Sequence, residues 1–311
     1  MRRARGYLGA LAVATLVLAA CASQPRHDEM DSAAARDPVP PVAATRPHQI
    51  TTPFGASRED PWYWLRDDTR ENPEVIGYLN AENAYTDAVM TPLAATRDAL
   101  FDEITGRIKA DDASVPYREK GWWYYVRFEE GGEYPVYARR RGSMEAPEEI
   151  LLDGNALAEG KSYYQIGDWA ISPSGARIAW AEDDVGRRQY VLKVKDLATG
   201  AVHEDGVAGI APNLVWGADD ETLYYVENHP ETLLGYRVKQ HRVGAAPAGD
   251  RLVYEEGDET FYLSITRTRS ERYLCIDLRA TVSTEMRRAA LAAPSRLLGL
   301  APRQRALLYG A

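Results

Sequence analysis

The residues that could carry hydrolytic chemistry in this chain are its serines, histidines and paired carboxylates. An exposed serine nucleophile on a strand-to-helix turn has the pattern Gly-x-Ser-x-Gly, and the 311-residue sequence does not contain it. Ser172-Pro173-Ser174-Gly175 lies between two apolar, strand-like runs, so it is interpreted as a hairpin turn. The sequence therefore identifies no catalytic residue, although a triad is defined by geometry and not by chain order.

The five histidines are the candidate general bases. None has a serine or carboxylate partner at a recognisable spacing, so each is interpreted as a surface or loop residue. They are His27, His48, His203, His229 and His241.

Adjacent aspartates and one glycine-rich segment are the remaining candidates. A general acid–base pair needs two carboxyl groups in one pocket with different pKa values. Asp183-Asp184 and Asp219-Asp220 instead fall in predicted exposed turns, and the other pairs are Asp67-Asp68 and Asp111-Asp112.

Gly154–Ser162 imitates a phosphate-binding loop, but its glycine interval is one residue too long and a strand is predicted where a helix should begin. With neither a His-Glu-x-x-His motif nor an EF-hand loop, the sequence predicts no metal and no cofactor.

The first twenty-one residues are interpreted as a targeting segment. Arg2, Arg3 and Arg5 precede the apolar run Tyr7–Ala20, whose fourteen residues are too few to span a hydrocarbon core of ~30 Å. The run ends in Leu18-Ala19-Ala20-Cys21, which resembles a bacterial lipobox. In that class the chain is cleaved before the cysteine and its thiol is acylated.

Cys21 is therefore the predicted lipidation site, and an ordinary secretion signal that happens to contain a cysteine is the alternative. Ala22 supplies no acidic signal for retention in the inner membrane. The predicted location is thus the bacterial cell envelope, as an outer-membrane lipoprotein facing the periplasm. Cys275, the second of the two cysteines, lies in an apolar strand-like run and is predicted to be a buried thiol.

Charge and composition limit the partners. A formal net charge of −9 argues against nucleic acid, because phosphate binding needs a basic face. An acidic field is compatible with attraction of cationic peptides, and simple solubility is the alternative explanation. Residues 22–47 are rich in Ala and Pro without periodicity and are predicted to be a disordered tether.

Residues 48–117 are predicted to form a helical arm. Asn72-Pro73 and Thr91-Pro92 each have the character of a helix start, with a capping side chain followed by a proline of the first turn. Apolar residues then recur at helical spacing and should pack against something larger than the two helices themselves. They are Val75, Leu79, Ala81, Tyr85 and Val89, and then Leu93, Leu100, Phe101, Ile104 and Ile108.

Residues 118–311 are predicted to form an incomplete β-propeller. A unit of strand, polar turn and second apolar strand recurs every 45–48 residues or so, the range of propeller blades. Four blades are expected at roughly 118–166, 167–211, 212–258 and 259–296, and residues 297–311 are expected to open a fifth. Trp62, Trp64, Trp122 and Trp123 could line a peptide groove, but anchoring of the helical arm onto a sheet is the preferred interpretation.

Specific segments of the chain resemble oligopeptidase B, in the prolyl oligopeptidase family of serine peptidases. The resemblance covers roughly residues 46–311 and is strongest in Asp60–Asp68, Asn72–Ile76, Leu79–Thr86, Gly106–Lys109, Ser114–Tyr117 and Gly132–Tyr137. It implies a mainly β fold, with about four to five of seven propeller blades after an α-helical arm. It also implies that the family's α/β-hydrolase domain, with its Ser, Asp and His, lies downstream and is absent from these residues.

The resemblance implies cleavage of short peptides after Arg or Lys, with the propeller restricting access and the arm packing on the hydrolase domain. This fragment alone is then expected to be inactive. Two other interpretations stay open. One is a non-catalytic propeller lipoprotein that binds a peptide or protein partner, and the other is a decayed reading frame whose product is degraded.

Overall fold

The computed structural model describes residues 37–292 and 296–305. The chain divides into two compact units, with the boundary between Ile108 and Lys109. No helix among the described residues is long and apolar enough to cross a membrane. Cys21 and His27, and residues 1–21 as a whole, lie outside the described residues.

The first unit contains a small hairpin and two helices. The hairpin pairs β1 (Gln49–Thr51) with β2 (Ser57–Glu59), and the helices are α1 (Pro73–Met90) and α2 (Ala94–Thr105). Short 3₁₀ turns cover Tyr63–Leu65 and Thr91–Leu93.

The predicted helix start at Asn72-Pro73 is confirmed. The Asn72 side chain accepts a hydrogen bond from the Glu74 backbone N–H at 3.0 Å, and Pro73 occupies the first turn, where a missing N–H costs nothing. Of the apolar stripe, Val75 is buried, whereas Leu100, Phe101 and Ile104 are all more than half exposed.

The second unit is built from four-stranded antiparallel blades. Blade 1 consists of β3 (Tyr117–Glu119), β4 (Trp122–Arg127), β5 (Val136–Arg141) and β6 (Glu148–Asp153). A short helix, α3 (Gly154–Ala158), follows it. Blade 2 consists of β7 (Gln165–Ile171), β8 (Arg177–Asp183), β9 (Tyr190–Asp196) and β10 (Val202–His203).

Blade 3 consists of β11 (Ala208–Trp216), β12 (Thr222–Asn228), β13 (Gly235–Arg242) and β14 (Arg251–Glu255). Its first strand also pairs with β9, at Ala208↔Val191 and Ile210↔Tyr190, so blades 2 and 3 form one eight-stranded sheet. The register of β11 shifts between Ile210 and Leu214, where the strand leaves blade 2 and becomes the inner strand of blade 3.

Blade 4 consists of β15 (Tyr262–Arg267), β16 (Tyr273–Arg279), β17 (Ser283–Ala290) and β18 (Leu298–Arg305). The expectation that residues 297–311 open a fifth blade is wrong for Leu298–Arg305, because β18 pairs with β17 as the fourth strand of this sheet. The predicted mainly β fold, with a partial propeller after a helical arm, is confirmed.

Alternation along each middle strand explains why the blades stack. In β12, Leu223 and Tyr225 pack toward blade 2, whereas Tyr224 and Val226 pack toward blade 4. Successive side chains of a strand point to opposite faces, so an unbroken apolar run buries both faces of a blade. A third apolar cluster, containing Tyr124, Leu151 and Trp180, joins blades 1 and 2.

Candidate functional site

The first strands of the four blades line a common cavity of about 320 Å³. They are β3, β7, β11 and β15, which are less buried than the middle strands because one edge of each faces this space. We call this space the axial cavity. Its lining includes Tyr117, Glu119, Asp168, Asn213 and Arg267.

Asp168 lies in the wall of the axial cavity, and its carboxylate joins two blades. Its oxygens accept hydrogen bonds from the Trp169 N–H at 2.8 Å and from the Leu214 N–H at 3.2 Å, so it links β7 to β11. Burial raises the pKa of the Asp168 carboxyl, and the two backbone donors oppose that effect. Burial also raises the pKa of Tyr117, in the wall formed by blade 1, to about 12, so its hydroxyl stays protonated at neutral pH.

Four charged side chains meet beside one end of the axial cavity. Glu119 and Lys120 come from blade 1, and Arg267 and Glu271 come from blade 4. Lys120 Nζ donates to Glu271 Oε2 at 2.6 Å, and Arg267 Nη2 lies 3.4 Å from Glu119 Oε1. Opposite charges from blades 1 and 4 therefore face one another directly.

Two further cavities lie between loops. One, of about 440 Å³, is lined largely by tyrosines of blades 1 and 2, including Tyr134, Tyr163 and Tyr164. The other, of about 380 Å³, lies beside the loop that connects blades 3 and 4, among Glu255, Glu256 and Asp258. Among the described contacts, no serine or threonine hydroxyl that lines either cavity hydrogen bonds to a histidine.

His241 contradicts its interpretation as a surface or loop residue. It is fully buried, with Nδ1 2.8 Å from Asp250 Oδ1 and Nε2 3.0 Å from Asp205 Oδ2. The nine-residue separation of His241 and Asp250 across a hairpin was a usable signal, but Asp205 lies in the segment between blades 2 and 3, and only folding brings it near. No serine hydroxyl hydrogen bonds to this imidazole among the described contacts, so the cluster links blades and does not form a triad.

The other described histidines make local contacts. His48 stacks on Tyr63 with ring centroids 3.9 Å apart, and His229 Nδ1 accepts from the Glu231 and Thr232 N–H groups. His203 lies half-buried at the end of β10.

Asp183 contradicts the expectation of a solvated turn residue, because it is 1% exposed. Its carboxylate accepts the backbone N–H groups of Val185, Gly186 and Arg188 and so closes the turn after β8. Asp219 similarly accepts from Glu221 and Thr222, where the predicted turn role is confirmed. These acids therefore fold turns and do not form a catalytic pair.

The glycine-rich segment forms the five-residue helix α3, and β7 begins at Gln165, so the strand predicted after it is confirmed.

Trp122 lies under the Arg139 guanidinium, 3.9 Å from the ring centroid, and Trp64 donates to the Ala44 carbonyl at 2.7 Å. Each of these contacts lies within one unit of the chain, so the anchoring of the arm onto a sheet stays a prediction. Cys275 is buried as predicted, and burial raises the pKa of its thiol.

Among residues 37–292 and 296–305, no group of three or more His, Cys, Asp or Glu side chains could hold a metal ion. Every strand pairing in the described part of the chain is antiparallel, so the parallel sheet of an α/β-hydrolase is not within it.

Residues 41–309 match the family model described as the prolyl oligopeptidase N-terminal β-propeller domain. The chain belongs to the prolyl oligopeptidase family. This confirms the family predicted from the segments between Asp60 and Tyr137.

Individual members of the family match over most of this chain. It is 50% identical over 295 residues to dipeptidyl aminopeptidase BI of Pseudoxanthomonas mexicana, covering 90% of this chain and 41% of that protein. It is 31% identical over 255 residues to protease 2 of Moraxella lacunata, covering 79% and 36%. The structure of oligopeptidase B from Leishmania major matches with a TM-score of 0.80 at 30% identity, covering 86% of this chain and 40% of that one. The chain thus spans about two fifths of the length of these relatives.

Proposed function

We propose that this chain is the N-terminal propeller portion of a serine oligopeptidase that hydrolyses short peptides. The observation that supports this function is the axial cavity, lined by the first strand of every described blade in a chain of the prolyl oligopeptidase family. A space of about 320 Å³ can hold a short extended peptide segment but not a folded domain. The propeller then selects substrates by size.

The chemistry would belong to a hydrolase domain that the described residues do not contain. In such a domain a serine attacks the scissile carbonyl, a histidine accepts its proton, and an oxyanion hole stabilises the tetrahedral charge. This chain would contribute restriction of access and positioning of that domain. We therefore expect the 311 residues alone to hydrolyse nothing.

The exposed apolar residues of α2 and of the segment after it support docking of that domain on the arm. Leu100, Phe101 and Ile104 of α2, and Ile108 after it, are 52–66% exposed, and apolar area left in water costs free energy that a docked partner would recover. The partner proposed for these residues is the hydrolase domain of the same protein.

Cleavage after Arg or Lys is the proposed specificity, supported by the net charge of −9 and by the resemblance to oligopeptidase B. The 50% identity to a protein named dipeptidyl aminopeptidase favours a second candidate, the removal of dipeptides from a free amino end. The two candidates differ in whether a blocked amino terminus abolishes cleavage.

A fusion tests the function. This chain would be joined to the remaining C-terminal part of the Pseudoxanthomonas mexicana relative and given fluorogenic dipeptides ending in Arg, with free or blocked amines. We expect cleavage of these dipeptides, no cleavage of a folded protein, and loss of this size selection when the C-terminal part is tested alone. A folded fusion that cleaves neither dipeptide, or this chain cleaving one by itself, would contradict the proposal.

The alternative is a non-catalytic propeller lipoprotein that binds a peptide or protein partner. Under it, the purified 311-residue chain would bind unfolded peptides tightly without any added domain. Titration with a labelled peptide library separates this outcome from the fusion result.

We propose that the protein is anchored in the cell envelope through Cys21. Labelling with tritiated palmitate should mark the wild-type chain in the outer-membrane fraction, and Cys21→Ser should abolish both label and membrane association. An unlabelled wild-type chain released into the periplasm would support the ordinary secretion signal instead.

A further inference from the structure

Four tyrosines line the cavity of about 440 Å³ between blades 1 and 2, which we call the tyrosine cavity. Tyr134 and Tyr137 belong to the β4–β5 hairpin of blade 1, and Tyr163 and Tyr164 lie just before β7 of blade 2. The remaining lining residues are Glu133, Pro135, Gly154, Ser162, Gln165 and Ile166. The volume falls within the range of about 300–1,000 Å³ that is usual for small-ligand sites. A site of this size can take one side chain of a peptide.

Two of the four phenol hydroxyls already have protein acceptors. Tyr163 donates to Gln165 Oε1 at 2.8 Å, and Tyr164 donates to Glu182 Oε2 at 3.0 Å. Tyr137 is only 8% exposed, and its hydroxyl makes no hydrogen bond among the contacts of the described residues. Burial raises the pKa of Tyr137, so the hydroxyl keeps its proton at neutral pH and can donate. A nearly buried polar group without a protein partner calls for an explanation, and a ligand in the cavity that Tyr137 lines supplies one.

The aromatic rings around the cavity are arranged edge to face. The ring centroids of Tyr134 and Tyr164 lie 6.0 Å apart with an interplanar angle of 79°, and those of Tyr137 and Trp169 lie 5.5 Å apart at 67°. Aromatic rings prefer this arrangement because the positive edge of one ring meets the negative face of another. A further ring in the cavity would continue the pattern, so the walls favour an aromatic ligand group over an aliphatic one.

The charges near the cavity favour a neutral ligand group. Among the lining residues, all of which the structure describes, Glu133 alone is charged, and its exposed carboxylate opposes an anion. Lys161 Nζ lies 4.4 Å from the centroid of the Tyr164 ring and 3.8 Å from Glu182 Oε1. One cation therefore already faces Tyr164 and would repel a second. A neutral aromatic side chain meets neither obstacle.

Strand β7 connects the tyrosine cavity to the axial cavity. Gln165 and Ile166 line the tyrosine cavity, and Asp168 and Trp169 line the axial cavity. Two residues of an extended strand span about 7 Å, and the Tyr137 ring packs against Trp169. The two cavities are therefore neighbours, and a peptide segment in the axial cavity has the tyrosine cavity within reach of one of its side chains.

We propose that the tyrosine cavity binds the side chain of a tyrosine residue in a peptide, with the Tyr137 hydroxyl hydrogen-bonded to the phenol oxygen of that side chain. The bound ring packs against the tyrosines of the wall. Phenylalanine fills the same space but leaves the Tyr137 hydroxyl without a partner, so the site prefers tyrosine. The proposal deepens the proposed function and rests on it, because the protein meets such peptides as substrates of the oligopeptidase.

Two substitutions test the site. Tyr137→Phe removes the hydroxyl and keeps the ring, and because that hydroxyl makes no described hydrogen bond, the variant should unfold at the same urea concentration as the parent chain. Ser162→Trp, at an exposed position of the lining, should fill part of the cavity. Tyr262→Phe is the matched control, because this tyrosine is 70% exposed on blade 4 and is not among the residues of the lining.

Affinity is measured on the 311-residue chain carrying Cys21→Ser, by ligand-observed NMR. The ligands are blocked pentapeptides Gly-Gly-X-Gly-Gly in which X is Tyr, Phe, Leu or Arg. We expect the Tyr peptide to bind about fivefold more tightly than the Phe peptide, the effect of one hydrogen bond, and the Leu and Arg peptides to bind more weakly than either. Tyr137→Phe should weaken binding of the Tyr peptide about fivefold and leave the Phe peptide within about twofold. Ser162→Trp should weaken binding of both aromatic peptides, and Tyr262→Phe should change no affinity.

Equal affinities for the Tyr and Phe peptides, or a Tyr preference that survives Tyr137→Phe, would overturn the proposal. Tightest binding of the Arg peptide would also overturn it, because the cavity would then be a cation site. The measurement needs no peptidase activity, so the two proposals fail separately. If the fusion cleaves peptides and this chain shows no Tyr preference, only the site is refuted, whereas a Tyr preference together with an inactive fusion contradicts only the proposed function.

Discussion

His241 Nε2 lies 3.0 Å from Asp205 Oδ2, and this contact fastens blade 3 to the segment that follows the last strand of blade 2. The same imidazole reaches Asp250 through Nδ1 at 2.8 Å. Asp205 also accepts the Gly244 N–H, and Asp250 accepts the Tyr225 hydroxyl. Both ring nitrogens of His241 and both carboxylate oxygens of Asp250 therefore have partners inside the protein.

We predict that His241→Ala lowers the free energy of unfolding by about 3 kcal/mol, because it removes the buried side chain that contacts both Asp205 and Asp250. The midpoint of urea unfolding, followed by tryptophan fluorescence, measures the change. His203→Ala, at a half-buried site on the edge strand β10, is the control and should change the free energy by less than about 1 kcal/mol. Equal effects of the two substitutions would show that the cluster adds nothing.

Arg139 should not tolerate lysine. Its guanidinium is nearly buried, holds both Glu149 oxygens at 3.0 and 2.8 Å, and donates to the Gly175 carbonyl of the next blade at 2.7 Å. A lysine ammonium cannot make this planar fork, so Arg139→Lys is expected to cost about 2 kcal/mol of unfolding free energy. Arg141→Lys, at an exposed site of the same strand, should be nearly neutral, and an equally large loss there would contradict the interpretation.

Glu148 should contribute to acid unfolding. Hydrogen bonds from Arg127 hold the pKa of Glu148 below its ordinary value, with a further contribution from the Tyr125 hydroxyl. A folded-state pKa below the unfolded value stabilises the protein above the unfolded pKa, and this contribution is lost as pH falls through the folded pKa. Glu148→Gln should therefore flatten the fall in stability between about pH 5 and pH 3, whereas Glu130→Gln, at an exposed site, should not. Urea midpoints across this range give the comparison, and parallel curves for Glu148→Gln and wild type would reject the assignment.

Gly167 should not tolerate alanine. A Cβ there would meet the Tyr190 ring and would lie 2.8 Å from Pro212 Cβ, where β7 passes close to the start of β11. Overpacking of this kind costs about 2 kcal/mol. Gly257→Ala, where a Cβ meets nothing within 4 Å, is the matched control. Thermal unfolding of the two variants should differ by several degrees, and similar midpoints would mean that the strands can move apart freely.

The repeated strand pairs and the helix start were determined by sequence alone. Residues 122–126 and 223–226 are continuous apolar or aromatic runs that favour burial of both faces, which is the condition of a propeller blade. Asn72-Pro73 caps a helix through contacts within a few residues. Sequence patterns that act over only a few neighbouring residues do not depend on where the rest of the chain lies.

Only the tertiary structure decided which distant groups meet. Lys120 and Glu271 are 151 residues apart, and Asp205, in the segment between blades 2 and 3, meets His241 of β13 across 36 residues. Leu298–Arg305 became the fourth strand of a blade, and not the first of a new one, because its pairing edge is formed by β17. The local pattern of a strand indicates that the strand will be buried. Which other strand it pairs with depends on how whole blades stack, and that depends on residues far away in the sequence.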